Sequence, residues 1–187
     1  TASAVGAWQA RGPRAPLMPW TAAALAHETP LASDPAWESM PRLSRDGRWL
    51  AYARREPQAR TTGLWLARAD GSGARQLVAI EGAIAGLAFA PAADAIALLA
   101  RDAGRCRVQR FALPAGPLHT LAECGPGPGL DWSPDGGSLL FSDVATNAAG
   151  AHPLLELPLD GGSARVASEP GPGEHEDSQA RWSPDGM

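Results

Sequence analysis

Cys106 and Cys124 are the only thiols in the 187 residues of the chain. A disulfide, a reduced and partly buried pair, or a metal site completed by His119 can each be built from them. Metal ligation is the least supported, because there is no Cys-x-x-Cys pair and no evident fourth ligand. A second chemical candidate is the acidic run Gly173-Glu174-His175-Glu176-Asp177, which suits either a divalent cation or a solvated loop. Catalytic signatures are scarce: no Gly-x-Ser-x-Gly elbow, no His-Glu-x-x-His helix and no phosphate-binding glycine loop. Gly71-Ser72-Gly73 reads as a turn, and His119 and His152 fall in strand contexts without a partner at catalytic spacing. The expectation is a non-catalytic segment with no cofactor and no metal.

The residues around the cysteines favour the disulfide and leave the reduced pair open. Arg105 to Phe111 reads as a strand, Pro114-Ala115-Gly116 as its turn, and Leu118 to Leu121 as the returning strand. Ala115 lies midway between the cysteines, so a hairpin folded there sets Cys106 opposite Cys124, at the cross-strand distance a disulfide needs. Closing that loop would contribute about 3 kcal/mol. A bridge implies an oxidising compartment such as the periplasm; two reduced thiols imply the cytoplasm.

That hairpin belongs to a repeat. Leu43-Ser44-Arg45-Asp46-Gly47, Phe89-Ala90-Pro91-Ala92-Ala93, Trp132-Ser133-Pro134-Asp135-Gly136 and Trp182-Ser183-Pro184-Asp185-Gly186 recur at spacings of 46, 43 and 50 residues. Pro presets the second turn position, Asp caps the turn, and Gly closes it in a left-handed conformation. The second copy lacks Asp and Gly, so a looser or differently shaped turn is expected there. A further hairpin follows in each copy, with turns at Asp70-Gly71 and Asp160-Gly161 in the first and third. Four antiparallel strands per period is the arithmetic of a propeller blade.

Composition agrees. Gly 21 and Pro 18 exclude long helices, and the one Ala-rich stretch of helical character, Ile84 to Leu99, is interrupted by Pro91. Sixteen basic residues, all Arg, stand against twenty acidic ones, a net charge of −4 without a basic cluster, so nucleic-acid binding by this segment is not expected. The predicted class is all-β, a partial propeller with blades at about 41–80, 84–124 and 129–168 and the first strand of a further blade at 178–187. His27 to Ser33 reads as a lone outermost strand that would complete a final blade, and residues 1–26 as a linker or the tail of a lost membrane segment. Leu43, Trp49, Trp65, Phe89, Trp132, Phe141 and Trp182 are the expected blade core.

The aromatic-Ser-Pro-Asp-Gly motif resembles the TolB-type, WD-repeat-like β-propeller repeat, closely in the third and fourth copies and less so where Arg45 replaces Pro and Ala92-Ala93 replaces Asp-Gly. The resemblance implies a binding or sensing platform whose partner is a protein or small ligand on the propeller face, with the remaining blades of the ring outside these residues. The apolar Thr1 to Trp8 and the cysteine pair are similar to the periplasmic part of CadC-like winged-helix transcriptional regulators, with a membrane anchor upstream. The alternative from another class is the gating propeller of a prolyl-oligopeptidase-type serine peptidase, whose nucleophile and His would lie in a downstream domain.

Overall fold

Alternating apolar residues bounded by Asp, Gly and Pro turns fold as strands throughout, because each short run can bury one face only by pairing with its neighbours. The structure, a computed structural model, describes residues 35–127, 129–148, 150–171, 179 and 181–183. The expected strand at 27–33, the linker at 1–26, the acidic run 173–177 and Pro184, Asp185 and Gly186 lie outside the described residues.

Three four-stranded antiparallel sheets follow one another in sequence. The first holds β1 (Trp37–Leu43), β2 (Trp49–Arg55), β3 (Thr61–Arg68) and β4 (Arg75–Glu81) in spatial order. The second holds β5 (Ala83–Phe89), β6 (Ala95–Asp102), β7 (Arg105–Ala112) and β8 (Leu118–Glu123). In the third are β9 (Leu130–Trp132), β10 (Ser138–Ser142), β11 (Leu154–Pro158) and β12 (Arg165–Ser168). The first strands of the sheets, β1, β5 and β9, are neighbours and form the inner rim, and each sheet is a propeller blade. The Ala-rich stretch with helical character is β5, a turn and β6: Pro91 sits in the turn, and the alanines let neighbouring sheets approach closely.

The core lies between blades. Leu64, Leu66 and Ile80 of the first blade meet Ile84, Leu87, Ile96, Leu98 and Phe111 of the second, with Trp49 and Phe89 packed at the margin. On its other face the second blade presents Ala88, Ala90, Ala95 and Ala97, and the third fills that shallow surface with Leu130, Trp132, Leu139 and Phe141. Large side chains of the third blade pack against these small ones. Fully burying each Leu or Phe contributes about 1.5–3 kcal/mol. One expected core residue is placed differently. Leu43 is 58% exposed, and its inward neighbour on β1 is Arg42. Trp65 points to the face of the first blade away from the second, because Leu64 and Leu66 on either side of it take the inter-blade face; it packs with Tyr52 and under the Arg54 guanidinium.

Each outermost pair carries one bulge. Pairing skips a residue between Val78 and Gln76, between Ala122 and Thr120, and between Ser168 and Val166, leaving Leu77, Leu121 and Ala167 unpaired. Bulges of this kind strengthen the local twist that lets blades fan around an axis. The chain then crosses from the outer edge of one blade to the inner rim of the next through glycine. A Cβ on Gly82 would stand 2.1 Å from the Arg101 carbonyl oxygen, and one on Gly125 would stand 1.9 Å from that of Asp143. Gly82 also has φ of +78°. Neither crossover admits a side chain.

Candidate binding site at the inner-strand turns

The turn that ends each inner strand is built by its own side chains. In the third blade the Ser133 hydroxyl donates to Asp135 Oδ1 at 2.6 Å, the Gly137 N–H donates to the same oxygen at 2.9 Å, and the Ser138 N–H donates to Ser133 Oγ at 2.9 Å. Trp132 adds its indole N–H to the Gly136 carbonyl at 3.0 Å, which ties the aromatic position to the turn. The first blade repeats the network: Ser44 Oγ donates to Asp46 Oδ1 at 2.6 Å, the Arg48 N–H to Asp46 at 3.1 Å, and the Trp49 N–H to Ser44 Oγ at 3.0 Å. The Ser44 hydroxyl first, then the N–H of Arg48, hold the Asp46 carboxyl down at about 2; Ser133 does the same in direction for Asp135.

The second copy departs from the sequence expectation. Without Ser, Asp or Gly it still closes the same backbone turn, with the Ala93 N–H on the Ala90 carbonyl at 2.8 Å and the Ala90 N–H on that of Ala95 at 2.9 Å. Ala93 takes φ of +55°, the left-handed conformation that Gly47 and Gly136 adopt at +69° and +80°. The flanking β5 and β6, fully packed on both faces, impose the turn on residues that do not favour it.

These turns share one end of the inner rim and surround a cavity of about 340 Å³ lined by Arg42, Arg45, Phe89, Asp131, Trp132, Arg181 and Trp182, among others. Arg42, Ala88, Asp131 and Arg181 occupy the same repeat position, two residues before the turn's Ser or Ala. The Trp182 N–H donates to Asp131 Oδ2 at 2.8 Å, and Arg181 Nη1 donates to the Leu130 carbonyl at 3.1 Å, which sets the fourth motif copy beside β9. Arg45 reaches across to the Pro134 carbonyl at 3.4 Å. Burial first, and the nearby Arg181 guanidinium second, lower the Arg42 pKa, while Asp131 raises it; an Arg so placed stays charged at neutral pH.

The cysteines lie at the opposite end, away from this mouth. Cys106 and Cys124 form a disulfide with a Cα separation of 5.0 Å. It closes a second cavity, of about 470 Å³, with Arg101, Arg105 and His152 on its wall. Arg101 Nη2 donates to the carbonyls of Gly125, Pro126 and Gly127, so disulfide and guanidinium together fasten the crossover into the third blade. The cysteine-histidine metal arrangement does not form: both sulfurs are in the bridge, and His119 is opposite Arg110 on the exposed side of β8. Among the described residues no group of three or more His, Cys, Asp or Glu side chains could hold a metal ion.

The turns and the cysteine pair are legible in the sequence, whereas the grouping of Arg42, Arg45, Asp131 and Arg181 is not. The signal was present: the residue two before the turn is charged in three of the four copies.

No protein family and no curated protein matches the sequence. Solved structures are similar in fold. TolB from Acinetobacter baumannii superposes with a TM-score of 0.66 at 15% identity, over 83% of this chain and 37% of that one. The β-propeller domain of the Trilobed protease from Pyrococcus furiosus, described as having an open velcro topology, gives 0.56 at 15% identity over 70% and 41%. A prolyl endopeptidase gives 0.54 at 16% identity over 73% and 22%. The chain therefore has a β-propeller fold and spans less than half the length of these neighbours.

Proposed function

We propose that the chain is part of a larger propeller that acts as a non-catalytic binding module in an oxidising, extracytoplasmic compartment, engaging its partner at the mouth formed by the inner-strand turns. The observation that carries this reading is the mouth itself, an open cavity where charged side chains from the first and third blades and the fourth motif copy converge. The disulfide supports the compartment, since such bridges persist where thiols are not kept reduced. The remaining blades would close the ring, as three blades fall short of the four to eight of closed propellers.

A CadC-like membrane-anchored regulator is one setting for such a module. The gating propeller of a serine peptidase is the second reading, favoured by the likeness to a prolyl endopeptidase and to the Trilobed protease propeller. The parent reading frame separates them: a winged helix and an apolar span upstream mark the first, a Gly-x-Ser-x-Gly domain downstream the second. The binding reading is tested with a photo-crosslinking residue placed in the protein expressed from its own gene, at position 43 in the mouth or at position 104 in the turn at the far end. A discrete adduct from 43 and none from 104, in protein without free thiols, is the expected result. Adducts from neither position, or two free thiols, would overturn it.

A further inference from the structure

The mouth inverts the charge of the molecule that carries it. The chain has a net charge of −4, yet the described residues around this cavity contribute the guanidinium groups of Arg42, Arg45 and Arg181 against the single carboxylate of Asp131. Asp131 is already committed to the Trp182 N–H. Arg42 and Arg45 make no ion pair among the described residues. Each gives one N–H to a backbone carbonyl, Arg42 to Pro41 at 2.9 Å and Arg45 to Pro134 at 3.4 Å. A guanidinium has five N–H donors, and its planar fork matches a carboxylate.

Leu87, Phe89, Trp132 and Trp182 supply an apolar wall around the cations. We infer that this cavity binds a carboxylate carried on an apolar body, such as the terminal residue of a peptide or an acidic side chain next to a hydrophobic one. The two arginines take the carboxylate, and the aromatic wall takes the apolar group. A volume of about 340 Å³ lies at the small end of ligand pockets and suits one or two residues rather than a folded surface. This inference rests on the mouth being the binding region, and it adds the chemistry of what binds there.

The test uses the full chain, labelled with ¹⁵N, and follows the Trp182 indole resonance, assigned with a Trp182→Phe variant. N-acetyl-leucine, N-acetyl-leucinamide and inorganic phosphate are the first probes. The acid is expected to shift the resonance saturably while the amide and phosphate do not. Arg42→Gln and Arg45→Pro should each weaken the response at least tenfold. Arg45→Pro keeps the fold under control, because Pro134 occupies the same position in the third blade's turn.

A short peptide ending in a free Leu carboxylate, compared with its amide carrying an internal Glu, then identifies the source, and binding of either supports the inference. An equal response to the amide or to phosphate would overturn the carboxylate chemistry while leaving the mouth as the binding region. No saturable response to the acid, or one unchanged in both arginine variants, would overturn it as well. Failure of the mouth itself would show separately, as absence of the position 43 crosslink.

Discussion

Cys106 stands opposite Cys124 because Leu121 drops out of the pairing between β7 and β8. Near the turn, Gln109 pairs with Thr120 and Arg110 with His119, a register that would set Cys106 against Glu123. The bulge advances β8 by one residue, so Val108 pairs with Ala122, and the Cys124 N–H reaches the Cys106 carbonyl at 3.1 Å. A one-residue slip moves every side chain to the other face of a strand. The bridge therefore depends on the same outer-strand irregularity found in each blade.

Reducing that bridge, or replacing both cysteines by Ser, should lower stability by about 3 kcal/mol, the loop-closure entropy for cysteines 18 residues apart. Urea denaturation with and without reductant measures it. The double variant should match the reduced protein and be insensitive to reductant; a loss below about 1 kcal/mol would show that Arg101 alone fastens the crossover.

Gly82→Ala and Gly125→Ala should each destabilise the fold by about 3 kcal/mol, the upper range for forced overpacking. Their added methyl groups would meet the carbonyls of Arg101 and Asp143, backbone that cannot swing aside. Gly104→Ala, at a position with nothing within 4 Å, is the comparison: its φ of +78° is strained but it makes no clash, so it should cost about 1–2 kcal/mol. Thermal melts of the three variants give the ranking.

Acid should weaken the turns in a defined window. The Asp46 carboxyl is depressed from 3.8 to about 2 by the Ser44 hydroxyl and the Arg48 N–H, and Asp135 and Asp70 are lowered by their neighbouring serines. A depressed folded pKa means that the contribution is fully present above about pH 4 and is lost as pH falls towards 2. Melting temperature measured from pH 6 to pH 2 should fall in that interval. Asp46→Asn and Asp135→Asn together should flatten the fall without abolishing it, since Asp70 still titrates.

Ala93→Gly should stabilise the protein. The left-handed φ of +55° costs an Ala about 1 kcal/mol or more, against a smaller gain in unfolded-state freedom for Gly. The net gain is about 0.5 kcal/mol. The matching change Gly136→Ala, at φ of +80°, should cost about 1 kcal/mol. Paired denaturation curves of the two variants test whether the turns are equivalent.

Local chemistry was legible in the sequence. Ser, Asp and Gly act on backbone within five residues of themselves, as Ser133 does on Ser138, so the turns and the strand order of each blade could be read from spacing alone. The cysteine pairing was readable for a less secure reason: counting from Ala115 gave the right partners only because the bulge at Leu121 restored a symmetry that the turn itself lacks. The exposure of Leu43 and the outward turn of Trp65 were not legible, since alternation says that neighbours part but not which face meets another blade. Nor were the crossover glycines, whose need for a bare backbone is set by carbonyls 18 or 19 residues further along the chain.

The mouth belongs wholly to the tertiary structure. Arg45 and Pro134 are 89 residues apart, and Asp131 and Trp182 are 51 apart, yet each pair is in hydrogen-bond contact. Sequence determined what each inner strand ends in; the arrangement of the strands around one axis decided that those ends meet, because burying both faces of every blade forces the inner strands together.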